Sequence, residues 1–151
     1  MTAENKPQIL VATVTPDLAL EVWSQAEPII ARALEHDYDD MTTNQILSRI
    51  LRGDITLLII LSDGEIIACM TLEYVRRVDR ICHCMTFCGD DMFSWVESFM
   101  DAWRQIASET GCKYISIKGR KGWERYAKRF GFQHAYTQMY LNIEEAENVG
   151  Q

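Results

Sequence analysis

Apolar positions along the chain switch between a period of two and a period of three to four, and the switches mark out the elements. "QILVATVT" (8–15) carries β-branched residues at 11, 13, 14 and 15 and reads as a strand. From Pro16 the spacing turns helical, through Leu18, Val22, Ile29, Ile30, Ala33 and Leu34. Pro28 removes a backbone donor within that pattern and predicts a break or a kink. A second helix is predicted over 42–53, with Thr42 and Gln45 as a capping box and Gly53 as its stop. "ITLLIIL" is apolar on both faces, which predicts an internal strand, and Asp63-Gly64 after it signals a hairpin.

A meander of three strands follows, ending in "RICHCMTFC" (80–88). Met92, Trp95, Val96, Phe99, Trp103 and Ile106 then form one helical stripe, with Asp90 or Asp91 as the expected cap and Gly111 as the expected stop. "CKYISIKG" (112–119) reads as a strand, "KGWERYAKRFG" (121–131) as a short helix and "FQHAYTQMYLNI" (132–143) as a last strand. The order β-α-α-β-β-β-α-β-α-β predicts an α+β domain. Its mixed sheet has an antiparallel centre, and the helix after residue 90 makes one parallel pairing by a crossover. A single domain is expected over 1–143, with a polar acidic tail over 144–151.

The chain's 151 residues suit one core. No apolar run reaches the ~18 residues of a membrane span. The opening "MTAENKPQILVATVTP" has no basic stretch followed by an apolar one, so no secretory signal and a cytoplasmic location are expected. A net charge of −7 disfavours a nucleic-acid partner. The charge is uneven: "EHDYDD" (35–40) and "EEAE" (144–147) are acidic, while 118–129 is basic.

Three of the five cysteines and one of the three histidines fall within residues 82–88. Strand alternation would put Cys82, Cys84, Thr86 and Cys88 on one face and Ile81, His83, Met85 and Phe87 on the other. A structural zinc site draws paired ligands from tight turns two to four residues apart. Here one residue separates Cys82 from Cys84 and His83 points away, so no metal is expected. The cysteines read as small buried hydrophobes.

"KGWERYAKRFGFQHAYTQMYLNI", with its Gly131-Phe132 step, resembles the C-terminal part of GNAT-superfamily N-acetyltransferases, and the element order to about residue 143 fits theirs. The resemblance implies acetyl-CoA as a small-molecule cofactor. It would be held at Phe87, Cys88 and Gly89, where the family has a glycine-rich pyrophosphate loop. Here that stretch, "FCGDDMFSW", has one glycine and two carboxylates. Lys118, Arg120, Lys121 and Arg125 are the basic residues that could take the phosphates instead. The resemblance implies a general base on the central strands, for which Glu73 and His83 are the candidates. It also implies a tyrosine acid four residues before Gly131. Ala127 occupies that position, and Tyr126 beside it is the candidate.

"GRKGWERYAKRFGF" also resembles small GNAT-like proteins of tailed phages and prophages. That likeness implies phage origin, in host cytoplasm or phage particle. Two functions stay open at this point. One is an atypical acetyl-CoA-dependent N-acyltransferase. The other is a non-catalytic morphogenesis or host-interaction protein working through protein contacts, with Trp123, Tyr126, Tyr136 and Tyr140 as interface anchors.

Overall fold

The computed structural model describes residues 8–35, 41–76, 78–118, 121–135, 137, 139 and 141–144. The chain divides into two compact units, Met1–Lys118 and Gly119–Gln151. The first unit holds β1 (Ile9–Val14), α1 (Pro16–Leu34), α2 (Thr43–Leu51), β2 (Ile55–Ser62), β3 (Glu65–Arg76), β4 (Arg80–Gly89), a 3-10 turn (Met92–Ser94), α3 (Val96–Glu109) and β5 (Tyr114–Ile117). The second holds α4 (Lys121–Lys128). The predicted last strand, 132–143, includes positions 136, 138 and 140 outside the described residues, and its other positions up to 142 are irregular. The acidic tail beyond 144 also lies outside them.

The five strands form one sheet in chain order, β1-β2-β3-β4-β5. Three antiparallel pairings run from β1 to β4, and β4 pairs with β5 in parallel. The fold is therefore the α+β arrangement with one parallel pairing that the pattern predicts. Asp63 and Gly64 make the β2–β3 turn, both with positive φ (48° and 83°), as a type I′ two-residue hairpin loop requires. The capping box of α2 is present: Thr42 Oγ1 accepts from the Gln45 amide, and Gln45 Oε1 accepts from the Thr42 amide.

Pro28 does not break α1, which runs on for 19 residues with the proline inside it. Ala26, Ile29 and Ile30 around it are buried against the sheet, and that burial holds the helix together where the backbone has lost a donor. α3 also departs from expectation. Asp91 starts the 3-10 turn in the left-handed region (φ 54°), and neither it nor Trp95, the residue before α3, makes a side-chain cap.

Both sheet faces are covered. Ile55, Leu57, Ile59 and Cys69 pack under α1 and α2 with Ala26, Ile29, Ile30, Ile46 and Ile50. On the other face Phe87 meets Trp95 and Phe99, with ring centroids 5.4 and 5.3 Å apart.

The register of β4 against β3 is broken once. Thr71 pairs with Thr86 but Leu72 pairs with Cys84, so Met85 is bulged out. The bulge reverses the alternation of side chains. Cys82 and Cys84 face α3, whereas Thr86 and Cys88 face α1 together with His83. The expectation that all four share one face is thus corrected: it holds on either side of the bulge and fails across it.

Gly89 ends β4 opposite Ala68. A Cβ there would collide with the Ala68 Cβ and would lie 2.6 Å from its Cα and 2.8 Å from the Ile67 carbonyl oxygen. Backbone cannot retreat as a flexible side chain does, so the residue must be glycine. Gly89→Ala should lower the unfolding free energy by about 1–3 kcal/mol, measured by urea denaturation. Ala68→Gly in the same chain should recover only part of the loss, because Ala68 Cα and Ile67 O remain in place. An unchanged urea midpoint for Gly89→Ala would show that the two strands are not this close.

Candidate active site

β4 and β5 share four rungs, Ile81↔Tyr114 through Cys84↔Ile117. Beyond them β4 continues for five residues, Met85 to Gly89, while β5 has ended. The bulge falls at the first residue past the last shared rung. The sheet therefore opens at the point where β4 changes which side chains it shows to α1.

Just before the opening, a line of polar side chains crosses the sheet on the α1/α2 face. Glu73 on β3 and His83 on β4 are register partners. His83 and Ser116 on β5 are partners too, and His83 Nδ1 lies 2.8 Å from Ser116 Oγ. Arg49 reaches across from α2 and donates from Nη2 to Glu73 Oε2 at 3.0 Å, in a half-buried ion pair. One rung further on, Thr71 and Thr86 share a buried hydroxyl–hydroxyl hydrogen bond of 2.6 Å. Buried polar groups on a sheet face need partners, and each of these has one. The sequence reading proposed Glu73 and His83 separately, and the structure puts them opposite one another. It missed Arg49 and Ser116. Ser116 is the one polar side chain in "YISI", and that was the available signal.

The residues expected to hold a cofactor are scattered. Phe87 packs under α3. Cys88 faces α1 opposite Cys69. Gly89 is needed for close strand approach, and its side of the loop is not an anion cradle. The Asp90 amide donates to Ile67 O, the Ser94 amide to Asp91 O and the Trp95 amide to Met92 O. The Asp90 carbonyl accepts from Trp95 Nε1 at 2.7 Å, and its carboxylate pairs with Arg32 at 3.4 Å. These three amides are committed within the protein, and two carboxylates stand beside them. The loop does not fit a diphosphate.

Lys118 is exposed just after β5. Arg120 lies outside the described residues, and of Lys121 only its place at the start of α4 is described. Tyr126 belongs to the second unit, where its ring packs against Phe130 at a tilt of 59° with centroids 5.5 Å apart, and the Arg129 guanidinium lies 5.9 Å from its centroid. Of the proposed interface anchors, Tyr136 and Tyr140 lie outside the described residues, as does the side chain of Trp123.

All five cysteines are free thiols. Among the described residues no three of His, Cys, Asp and Glu converge as a metal site would require. Burial, reinforced by the neighbouring Cys88, pushes Cys69 up to about 12, and burial pushes Cys82 up to about 11. Cys84 is raised too, by burial and by Cys82. These are packing residues, poor as thiolate nucleophiles.

Comparison with sequence families finds no match, and comparison with curated proteins finds none. Solved structures do match. An aminoglycoside N-acetyltransferase in complex with CoA is 10% identical, with a TM-score of 0.70 over 93% of this chain and 98% of its own. A predicted acetyltransferase with acetyl-CoA from Clostridium acetobutylicum is 15% identical, with a TM-score of 0.67 over 91% of this chain and 98% of its own. Glucosamine-6-phosphate N-acetyltransferase from Arabidopsis thaliana is 11% identical, with a TM-score of 0.65 over 90% of this chain and 99% of its own. The fold is that of the GNAT acetyltransferases. No helix among the described residues is long and apolar enough to cross a membrane.

The raised thiols make a prediction in alkali. In the unfolded chain these cysteines titrate near 9.0, while in the folded protein Cys69 and Cys82 keep their protons to about 12 and 11. Between those values the folded state binds more protons, so its stability falls as pH rises. The urea midpoint should hold steady to about pH 8.5 and decline from about pH 9 to 11. The decline should be shallower in Cys82→Ser. A midpoint flat to pH 11 would contradict this burial of the thiols.

Proposed function

We propose that the chain is an N-acyltransferase that moves an acyl group from a CoA thioester to an amine, with His83 as its general base. The observation that carries this reading is the Glu73–His83 pair on the last rungs before β4 and β5 part. A fold shared with acetyltransferases supplies the context, and the side chains supply the chemistry. Histidine exchanges a proton near neutral pH, as a general base for an amine must. Glu73, fixed by Arg49, stands next to it as a carboxylate that favours the imidazolium formed when His83 takes the proton.

A bound thioester would bring an activated carbonyl carbon and a thiolate leaving group. The edge of β4 from Met85 to Gly89 would align its amide-bearing arm by backbone hydrogen bonds. The buried row beneath would exclude water from the amine's proton transfer. Phosphates would lie away from Asp90 and Asp91, and Lys118, just after β5, is the basic residue of this unit to hold them. Acetyl-CoA is the donor to test first.

The acidic loop favours a second reading, a GNAT-fold protein that has given up its donor and works through protein contacts. The phage and prophage proteins that 119–132 resembles are the class in which that reading belongs.

The two readings separate by direct assay. Acetyl-CoA with a panel of primary amines, followed by chromatographic release of CoA, should show amine-dependent turnover. His83→Gln should reduce kcat about 10²–10⁴-fold with the donor KM little changed, and Glu73→Gln should reduce it less. Turnover that is unaffected by His83→Gln would remove the proposed base. Release of CoA no faster than in buffer with every amine would favour the binding protein.

A further inference from the structure

Arg49 and Glu73 form an ion pair unlike the other three among the described residues. Arg32–Asp90, Arg52–Asp54 and Lys113–Asp79 lie at 3.4, 3.5 and 3.6 Å between side chains that are 41% exposed or more. Arg49 Nη2 donates to Glu73 Oε2 at 3.0 Å, and the two side chains are only 28% and 24% exposed. The elements explain the placing. Arg49 follows buried Ile46 by three residues and precedes buried Ile50, so it leaves α2 on the side that faces the sheet. Glu73 sits on β3 between its register partners Ile55 of β2 and His83 of β4. The pair uses only part of what it holds. A guanidinium has five N–H donors and a carboxylate two oxygens, and among the described residues the Nη2–Oε2 contact is the one hydrogen bond of either group. Neither side chain has a nitrogen or oxygen that is both buried and unbonded, so the unused donors and Glu73 Oε1 reach solvent.

A half-buried cation and anion side by side select a ligand by its charges. A lone anion would suit Arg49 and be repelled by Glu73, and a lone cation the reverse. A zwitterion whose two charges sit on one carbon matches both, and it adds to the pair without breaking it. We propose that the Arg49–Glu73 pair is a recognition site for the zwitterionic end of a free α-amino acid, with the ligand's carboxylate on the unused Arg49 donors and its ammonium on Glu73 Oε1. The binding stands on the pair alone. Its consequence, that free α-amino acids are the acceptor class, rests on the acyltransferase reading. Glu73 faces His83 across one rung, where side chains of paired residues start about 5 Å apart, so an ammonium on Glu73 is within reach of the base. The ammonium gives one proton to His83. The nitrogen–carbon bond then forms as the carbon–sulfur bond breaks, and the nitrogen's second proton goes to the departing thiolate. His83 returns its proton to water, which leaves an N-acyl amino acid, the CoA thiol and one proton.

The test has two arms on the full chain. Its probes are free L-alanine, L-serine and L-leucine, each set against the matching amino amide, which keeps the amine and loses the carboxylate. By NMR, without donor, the Arg49 Nε–H resonance should move and saturate with the amino acids at millimolar concentration and stay in place with the amides. With acetyl-CoA present, kcat/KM for the amino acids should exceed that for the amides about 10–100-fold. In Arg49→Gln that preference should disappear. A merely structural Arg49 would lower acids and amides alike and leave their ratio as it was. An Arg49 resonance that ignores the amino acids, or follows the amides equally, would overturn the inference, as would a preference that survives Arg49→Gln. Amine-dependent turnover in those cases leaves the acyltransferase reading standing. Saturable movement of Arg49 with the amino acids alone, but no release of CoA above buffer, would uphold the binding site and overturn the acyltransferase reading.

Discussion

β4 has to satisfy two neighbours of unequal length, and the bulge at Met85 is how it does so. Against β3 it pairs along its whole length; against β5 it pairs over four rungs only. The extra residue falls where the second pairing stops. Below it, His83 shares a face with Glu73 and Ser116. Above it, Thr86 and Cys88 have been turned onto that same face while Phe87 is left to fill the space under α3. Without the bulge, Thr86 and Cys88 would point into the aromatic cluster of Trp95 and Phe99, and Phe87 would point into the polar row. The site and the core on the opposite face thus depend on one inserted residue.

The polar row is stabilised by satisfaction more than by net attraction. A half-buried ion pair such as Arg49–Glu73 gives little stability of its own once desolvation is counted. What it does provide is a fixed carboxylate beside His83. Removing Arg49 would leave that carboxylate under a helix with its partner gone, which is costly in a way that forming the pair is not rewarding. The same asymmetry holds at Thr71–Thr86. Such groups make poor core, and their position next to an opening in the sheet is the reason to read them as working parts.

Much of the fold could be read from the chain because its signals are local. Asp63-Gly64 and the Thr42–Gln45 box each specify a geometry within four residues, and "ITLLIIL" declares burial on both faces. The bulge left no such trace: "CHCMTFC" alternates plausibly whether or not Met85 is counted, and only pairing with β3 decides it. The start of α3 was misread for a related reason. Asp90 and Asp91 look like caps, but the Trp95 indole ties back to the Asp90 carbonyl and moves the start of the helix along by a turn. Pro28 was overruled by burial of the residues around it. At the site, Glu73 and His83 could be proposed singly from residue type. Their pairing, and the parts played by Arg49 and Ser116, required the register of three strands.

The central claim is that the opening past Cys84 and Ile117 receives the donor. Amide chemical-shift mapping with acetyl-CoA tests it most directly. The account predicts that resonances of Met85 to Gly89, Ile117 and Lys118 move together and saturate, with His83 and Ser116 following and the amides of Ile9 to Val14 unmoved. No saturable change at millimolar acetyl-CoA, or changes confined to residues far from β4 and β5, would contradict it.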